Sequence, residues 1–400
     1  MSHTSIKKIM VLNPYIPTLG GGEKQMGYLC KFLEDRYPDA DLDIVVYNYN
    51  NIDVNAKGYV TVDKINKQFG LDLRRTRIKK ITQISSMDNK DRVKNKQYIE
   101  KLTRNYDLFI NHMFMSKHIG CAKYNIYECM FPPKRFKKEL SKLYYILGSW
   151  WDRRFYKSYD VFSVNSLYTD EWLKRIWSGK VKSHLVYPPV FSNNEIEGRY
   201  QEERKKNIII SVGRFFFASH CKKQLDLVKF FVSHKQVFAD YQYHLVGALS
   251  NHPDDLNYFK KIKEVADSVD NVFLHENCEY DKLMTLYGEA KIFWHATGYM
   301  VDESKEPEKM EHFGITTVEA MSYGAVPVVI NKGGQKETVE DGVNGYLWDT
   351  EDECIKKTKQ LIDNDKLREK FALESVKRAK NYSIENFNLE NERLFNELEI

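Results

Sequence analysis

The sequence lacks any long apolar segment. No apolar run approaches the roughly 20 residues that a membrane-spanning helix needs. Residues 1–14 pass from a few polar residues into a strand pattern, without the apolar core of a signal peptide. These absences argue against a membrane-spanning protein and favour a soluble or peripherally attached cytoplasmic one. A position at the cytoplasmic face of a membrane stays open.

Paired cysteines are also absent. The six cysteines are scattered along the chain without the paired spacing of a zinc site, which argues against structural zinc and predicts free thiols in a reducing compartment. They are Cys30, Cys121, Cys129, Cys221, Cys278 and Cys354.

Neither sign of charge is in large excess. The 61 basic and 56 acidic side chains leave a formal net charge of +5, so the sequence does not require a nucleic-acid partner. Basic residues are dense at positions 74–80, inside an irregular basic region at 57–104, and at 134–157, where they alternate with aromatic residues. Each cluster is explained either by a solvated helix face or by contact with anionic lipid. A phosphate-bearing acceptor is a further partner for the first cluster.

The length of 400 residues predicts two domains. Strand and helix patterns alternate, stop at the polar segment 193–206, and restart at residue 207, which indicates two doubly wound α/β units. We predict an N-terminal domain at 1–195, a linker at 196–206, a C-terminal domain at 207–382 and a terminal helix at 383–400. The predicted strands are residues 8–12, 43–47, 106–110, 125–129, 161–165, 183–187, 207–212, 243–247, 271–274, 292–295 and 326–330.

Two features of the first domain suit a ligand. Gly20, Gly21 and Gly22 lie between the first strand and the first helix, where the backbone can approach an anion closely. Gln25 stands where a dinucleotide fingerprint has its third glycine, which disfavours an NAD-dependent enzyme. His112 follows the strand at 106–110, at the sheet edge where open α/β sheets bind ligands. His118 is a competitor for the same role.

The most informative stretch is residues 309–330, KMEHFGITTVEAMSYGAVPVVI. It predicts a bend at Gly314, a helix at 316–323 and a buried strand at 326–330. A helix that starts after a glycine leaves free N–H groups that suit a phosphate. Glu311 precedes this helix and Glu319 lies one turn inside it, so one carboxylate can reach a sugar and the other a ribose. The layout favours a nucleotide-sugar.

These residues resemble a known family. The run Glu311-His-Phe-Gly-Ile-Thr-Thr-Val-Glu319, with the Gly324-Ala-Val-Pro327 that follows, closely resembles the donor-site signature of GT-B retaining glycosyltransferases of family four. The resemblance extends through Gly333 and Gly334 to Gly345. It implies an α/β fold of the GT-B type, with two Rossmann-like doubly wound domains facing across a cleft.

The resemblance also implies roles for residues. Glu319 is expected on ribose hydroxyls, Glu311 on sugar hydroxyls, and the backbone of Gly314 and Ile315 on the phosphates. Arg214 and a lysine neutralise the diphosphate; Lys223 is preferred because the residues after it align with the family's helix, and Lys222 is the alternative. In the acceptor-side first domain, Gly21 and Gly22 meet the donor phosphates, and His112 lies near the transferred sugar.

The expected function is transfer of a hexose, with retention at the anomeric carbon, from a nucleoside-diphosphate sugar to a glycan or lipid-linked glycan in surface polysaccharide or glycoconjugate synthesis. Mannose from GDP-mannose is slightly favoured over UDP-hexoses. No Asp-x-Asp pair is well placed, so we expect no metal and no cofactor besides the donor. Two other classes stay open: a non-hydrolysing sugar-nucleotide epimerase, and a catalytically silent partner subunit of a glycosyltransferase. No nucleic acid is expected as a partner.

Overall fold

A computed structural model describes residues 6–13, 20–48, 61–82, 89–135, 142–217 and 221–400. The chain divides into two compact units. The first consists of Met1–Pro189 together with Phe387–Ile400, and the second is Val190–Asn386. The six cysteines all carry free thiols, as predicted. Parts of three predicted segments fall outside the described residues: positions 14–19 before Gly20, positions 57–60 and 83–88 of the basic region, and positions 136–141 of the aromatic one.

The first unit is built on a seven-stranded parallel sheet with the strand order β3-β2-β1-β4-β5-β6-β7. The order reverses between β1 and β4, which makes this the switch point of the sheet. The strands are β1 (Lys8–Leu12), β2 (Asp41–Asn48), β3 (Thr76–Thr82), β4 (Leu108–Asn111), β5 (Tyr124–Cys129), β6 (Val161–Val164) and β7 (Ser183–Leu185). The helices are α1 (Gly21–Arg36), α2 (Val62–Phe69), α3 (Asn89–Thr103), α4 (Lys142–Tyr156) and α5 (Leu167–Trp177).

Strand β3 corrects the prediction of an irregular region with a basic helix face. Its residues pair in parallel with β2 at the edge of the sheet. The carboxylate of Glu34 accepts hydrogen bonds from the backbone of Arg75 and Thr76 and fixes the start of the strand. Arg77 is paired with Asp41 and Asp43. Charged residues are common on edge strands, where they discourage pairing with other chains. Here they interrupt the apolar pattern from which a strand would be predicted.

The second unit is built on a six-stranded parallel sheet with the strand order β10-β9-β8-β11-β12-β13. The order reverses between β8 and β11. The strands are β8 (Lys206–Val212), β9 (Gln242–Gly247), β10 (Val272–Glu276), β11 (Ala290–His295), β12 (Val326–Ile330) and β13 (Tyr346–Trp348). The helices are α6 (Asn193–Arg199), α7 (Gln224–Ser233), α8 (Pro253–Ala266), α9 (Tyr280–Glu289), α10 (Ile315–Ser322), α11 (Gln335–Thr338), α12 (Glu351–Asp363) and α13 (Asp365–Ala379). The last helix, α14 (Ile384–Glu397), begins in the second unit and belongs to the first unit from Phe387 onward.

The segment predicted as a linker, 196–206, differs from that expectation. Helix α6 begins at a capping box formed by Ser192 and Glu195, and its Ile196 is buried. A 3₁₀ helix follows at Glu202–Arg204, and Glu202 forms an ion pair with the buried Arg368 of the same unit. One buried residue in seven gives no apolar period, so the sequence pattern could not reveal this helix.

Helix α14 completes the core of the first unit from Phe387 onward. Phe387, Leu394 and Phe395 are buried in the cluster that also contains α1 residues such as Phe32. The rings of Phe32 and Phe395 meet edge to face with centroids 5.3 Å apart. Arg36 at the end of α1 pairs with Glu392.

We expect Phe395→Ala to lower the free energy of unfolding of the first unit by about 3–5 kcal/mol, because a ring that is 1% exposed leaves a cavity in the core. Denaturant unfolding of the full chain, followed domain by domain, measures this loss. Leu389→Ala is the matched control on the same helix, since Leu389 is 47% exposed and its loss should change stability by less than about 0.5 kcal/mol. Equal effects of the two substitutions would contradict the assignment of α14 to this core.

Candidate functional site

The switch point of the second sheet brings several predicted residues together. Strand β8 ends at Val212 and leads into Gly213 and Arg214, while the neighbouring β11 ends at His295. The carboxyl ends of parallel strands at a switch point form the crevice where ligands of open α/β sheets bind. Glu311 and helix α10 follow β11 in the chain and lie at the same edge.

Glu311 is the centre of this cluster. Its Oε2 forms an ion pair with Lys222 Nζ and lies 3.0 Å from His295 Nε2. The carboxylate is largely buried, and burial alone would raise its pKa. The positive charge of Lys222 and the hydrogen bond from His295 outweigh burial and hold the pKa of Glu311 well below its usual value. The group is therefore a carboxylate at neutral pH.

His295 connects Glu311 to helix α10. Since its Nε2 donates to the Glu311 carboxylate, its Nδ1 is free to accept from the side-chain amide of Gln335, 3.3 Å away. The carbonyl oxygen of Gln335 accepts from Thr317 Oγ1 at 3.0 Å, in the first turn of α10. The chain of donors and acceptors is consistent from end to end and fixes the orientation of the Glu311 carboxylate.

Sequence reasoning missed His295 and Gln335 as site residues. The position of His295 at the end of a buried strand was visible in the sequence and was a usable signal, the same one that singled out His112. Gln335 carries no such signal, because it lies 40 residues from His295 in the chain.

The structure places the alternative lysine, Lys222, beside Glu311, and not the preferred Lys223. Lys223 has φ +59° and stands at the start of α7, where a left-handed residue turns the chain into the helix. Lys222 precedes this turn and reaches Glu311. Its stem passes Gly213 so closely that a Cβ there would lie 2.6 Å from Lys222 Cγ, so a larger residue at 213 would displace the Lys222 side chain.

Arg214 lies on the turn after β8. The side-chain amide of Gln224 donates to the backbone oxygens of Gly213 and Arg214, both at 3.0 Å, and so fixes this turn. The Arg214 guanidinium lies over the ring of Phe216, with 5.4 Å from its central carbon to the ring centroid. Its side chain is exposed and accessible to an anion.

Helix α10 has the predicted form. Gly314 precedes it with φ +100°, and a Cβ at this position would approach the Gln335 amide nitrogen to 2.7 Å. The N–H groups of Ile315 and Thr316 fall in the first turn of the helix, where an α-helix offers them no internal acceptor. Glu319 lies one turn further along and is buried. The hydroxyl of Tyr287 donates to its Oε2 at 3.2 Å.

The predicted residues of the first unit form a separate group around the start of α1. The Nε2 of His112 lies 3.0 Å from the backbone oxygen of Gly22. Burial lowers the pKa of His112 to about 4, although the hydrogen bond to Gly22 opposes this, so the imidazole is neutral at pH 7. Glu23 accepts from the N–H of Gly20 and closes the first turn of the helix, which begins at Gly21. The competitor His118 is also buried.

The acid stability of the second unit should depend on His295. Burial, with a smaller contribution from Lys222, lowers the pKa of His295 against the opposing effect of Glu311. His295 and Glu311 therefore bind more protons in the unfolded chain than in the folded one. We expect the free energy of unfolding to fall as pH drops below about 6.5, and His295→Gln to flatten this dependence between about pH 6.5 and 4.5. His252→Gln is the control, because His252 is exposed at the start of a helix; it should leave the change of the free energy of unfolding with pH as in the wild type.

In the part of the chain that the structure describes, no three side chains of His, Cys, Asp or Glu form a group that could hold a metal ion. None of the described helices is long and apolar enough to cross a membrane.

Helix α4 exposes a large apolar face. Its Ile146, Leu147, Trp150 and Trp151 are 54%, 51%, 54% and 38% exposed. The guanidinium of Arg154 lies over the rings of Trp150 and Trp151.

Solved structures identify the fold. The chain is similar over 98% of its length to Anabaena Alr3699/HepE in complex with UDP and glucose, with a TM-score of 0.67, 14% identity and 99% of that chain covered. Sucrose-phosphate synthase from Thermosynechococcus elongatus gives a TM-score of 0.66 at 13% identity, over 98% of this chain and 99% of that one. The two parallel-sheet units thus form the GT-B fold of glycosyltransferases.

The sequence comparison finds a family model that matches the second unit. Residues 192–378 match the family described as glycosyl transferases group 1. The match spans Arg214, Lys222, Glu311 and Glu319, the residues on which the sequence resemblance depends.

Curated relatives are mannosyltransferases. The chain is 28% identical over 257 residues to the GDP-Man:Man(3)GlcNAc(2)-PP-Dol alpha-1,2-mannosyltransferase of Dictyostelium discoideum. The aligned region covers 60% of this chain and 45% of that protein. It is 25% identical over 204 residues to the human protein of the same name, with 48% and 39% covered. The chain thus matches less than half the length of these relatives.

Proposed function

We propose that the protein is a retaining, metal-independent glycosyltransferase that moves a hexose from a nucleoside-diphosphate sugar to a glycan or lipid-linked glycan. The observation that carries the proposal is the cluster of Glu311, Lys222 and His295 beside the start of α10, at the switch point of the second sheet. The names of the curated relatives favour mannose from GDP-mannose as the donor sugar. UDP-hexoses are second.

The proposed donor site lies in the second unit. The anionic diphosphate lies against the N–H groups of Gly314 and Ile315 and the positive end of α10. Arg214 and Lys222 add the two positive charges. Glu311 accepts hydrogen bonds from sugar hydroxyls, and Glu319 accepts them from ribose hydroxyls. The first unit, with Gly21, Gly22 and His112, binds the acceptor.

The proposed reaction replaces one bond at the anomeric carbon by another on the same face. The bond from the anomeric carbon to the diphosphate oxygen breaks as the bond to the acceptor oxygen forms, and the acceptor proton passes to the leaving phosphate oxygen. Negative charge grows on the diphosphate, where Arg214 and Lys222 stabilise it. These cations do the work that a divalent metal does in other sugar transferases, so activity should persist in EDTA.

A nucleotide panel tests the donor class. Thermal shift and calorimetry with GDP, UDP, ADP and their sugar conjugates should show one nucleotide stabilising the wild type. Transfer is then followed with that nucleotide's mannose and glucose conjugates, using a lipid-linked Man(3)GlcNAc(2) pyrophosphate as acceptor, with and without EDTA. Binding of no nucleotide, or turnover of the sugar nucleotide without any acceptor product, would refute the proposal.

We further propose that α4 rests against an anionic membrane at its cytoplasmic face. Its exposed Trp150 and Trp151 can insert at the level of the lipid headgroups, and Arg153 and Arg154 can pair with anionic lipids. This contact would hold the enzyme close to a lipid-linked acceptor.

Flotation with vesicles tests the membrane contact. We expect the wild type to bind vesicles of 70% phosphatidylcholine and 30% phosphatidylserine, and Trp150→Ser combined with Trp151→Ser to lose most of this binding. Leu373→Ser, which changes an exposed leucine of the second unit, is the control and should bind as the wild type does. Unchanged flotation of the double variant would remove α4 as the contact.

A further inference from the structure

The hydrogen bonds around His295 join the two ends of the proposed donor site. Thr317 lies in the first turn of α10, where the diphosphate is proposed to bind, and its hydroxyl donates to the carbonyl oxygen of Gln335 at 3.0 Å. The amide of Gln335 contacts His295 Nδ1 at 3.3 Å, and His295 Nε2 lies 3.0 Å from Glu311, the carboxylate proposed for the sugar. One path of hydrogen bonds therefore connects the phosphate side of the site to the sugar side.

Gln335 is held firmly in this path. It follows Gly334, whose N–H donates to the backbone oxygen of Glu311 at 2.7 Å. The start of α11 is thus fastened to the same segment whose side chain the path orients. The side chains of Gln335 and Thr317 are completely buried and that of His295 nearly so, and a buried network in which every member is paired is rigid.

Gln335 determines which nitrogen of His295 carries the proton. An amide presents both an acceptor and a donor, and because the hydroxyl of Thr317 occupies the acceptor, the donor faces Nδ1. Nδ1 is then the unprotonated nitrogen, which leaves the proton on Nε2, the nitrogen beside Glu311. A side chain without this donor would let the proton move to Nδ1. Nε2 would then turn a lone pair toward the carboxylate.

The charged groups that face His295 make this choice of nitrogen matter. Burial lowers the pKa of His295, with a smaller contribution from Lys222, and outweighs the opposing effect of Glu311. The imidazole is therefore neutral at pH 7, and only one of its two nitrogens carries a proton. Since a neutral imidazole donates to Glu311 only when the proton is on Nε2, the amide of Gln335 controls this hydrogen bond.

We propose that Gln335 is a positioning residue for sugar transfer: it keeps the proton of His295 on Nε2, and His295 in turn holds the Glu311 carboxylate in place for the sugar hydroxyls. Gln335 acts through His295 and not by contact with the donor. The proposal rests on the glycosyltransferase function proposed above. It adds that Thr317 links the position of Glu311 to the helix against which the diphosphate is proposed to lie.

Removal of the amide tests this role. Gln335→Met keeps the length of the side chain, and we expect kcat for transfer to fall about 10- to 100-fold, because a small displacement of a group that holds the substrate costs this much. The dissociation constant of the nucleotide, measured by calorimetry, should change less than twofold. Thr317→Val should lower kcat less. The double variant should lose less than the product of the two single losses, because both residues act through one path.

The dependence of kcat on pH separates positioning from structural support. Gln335→Glu keeps an acceptor for Thr317 and places its other carboxylate oxygen beside Nδ1, which favours a doubly protonated His295. A charged His295 draws the Glu311 carboxylate away from the sugar hydroxyls. We therefore expect the acidic limb of the kcat profile to move to higher pH by about one unit or more in Gln335→Glu. Gln335→Met carries no charge and should not cause this shift.

Thr338→Val is the matched control, because Thr338 is a buried threonine of α11 whose hydroxyl donates to the backbone oxygen of Gln335 and lies outside the path. It should lower the melting temperature and leave kcat and its pH profile as in the wild type. Wild-type kcat in Gln335→Met, or an equal loss of kcat in Thr338→Val, would overturn the positioning role and leave the proposed function standing.

The pH profile of Gln335→Glu decides the question if Gln335→Met does not fold, and an unshifted acidic limb would then overturn the role. Failure of the wild type to transfer sugar from any nucleotide would instead reject the proposed function, and the positioning role with it.

Discussion

Replacing Glu311 by glutamine should lower kcat for sugar transfer by about 10²–10³-fold, a loss typical of removing one group that stabilises a transition state. The glutamine amide cannot accept hydrogen bonds from sugar hydroxyls as strongly as a carboxylate does. It also leaves Lys222 without its carboxylate partner and gives His295 a weaker acceptor. Steady-state kinetics with the donor identified by the nucleotide panel measure this loss.

Two further variants make the Glu311 prediction specific. Glu306→Gln removes a carboxylate from the loop before Glu311, where Glu306 pairs only with the nearby Lys309 among the described residues, and it should leave kcat within about twofold. Lys222→Met should lower kcat by itself, and the double variant with Glu311→Gln should lose less than the product of the two single losses, because the pair acts as one unit. Wild-type kcat in Glu311→Gln would exclude Glu311 from the chemistry.

Glu319→Ala should weaken nucleotide binding by about 10- to 100-fold, which corresponds to the loss of one or two hydrogen bonds to a charged group. The cause is the loss of the carboxylate that accepts from the ribose hydroxyls in the proposed donor site. Calorimetric titration of the nucleotide measures the dissociation constant directly. We expect kcat at saturating donor to change much less, since ribose contacts do not change during the reaction.

The hydroxyl of Tyr287 provides the control for Glu319. Tyr287→Phe removes the donor that orients the carboxylate at 3.2 Å and keeps the carboxylate itself, so it should weaken nucleotide binding by only about 2- to 5-fold. If Glu319→Ala and Tyr287→Phe both bind nucleotide as the wild type does, Glu319 is a structural residue of α10 and the ribose lies elsewhere.

The local structure around Glu311 and Glu319 could be predicted from the sequence because its determinants are local. Gly314, the apolar face of α10 and the eight-residue spacing of Glu311 and Glu319 all lie within one helix and its start. The structure confirms the helix and the strand β12 that follows it. The partners of Glu311 could not be predicted, since Lys222 comes from 89 residues away in the chain.

The errors in the prediction have physical causes. The preference for Lys223 over Lys222 came from alignment, whereas the lysine that reaches Glu311 depends on the φ of +59° at Lys223, which composition does not encode. Strand β3 was not predicted because an edge strand needs few apolar residues. Helix α6 was not predicted because it buries a single isoleucine. The segment after it was not predicted because the ion pair that fixes it, Glu202 with Arg368, joins residues 166 positions apart.

The placement of α14 has a consequence for biosynthesis. The second unit is continuous from Val190 to Asn386, so all of it leaves the ribosome before the segment that completes the first unit. Phe387, Leu394 and Phe395 are translated after the whole of the second unit, and until then the apolar side of α1 around Phe32 lacks the contribution of these residues. The first unit therefore completes its fold only after the second unit has been translated, and in the interval its incomplete core is a binding surface for chaperones.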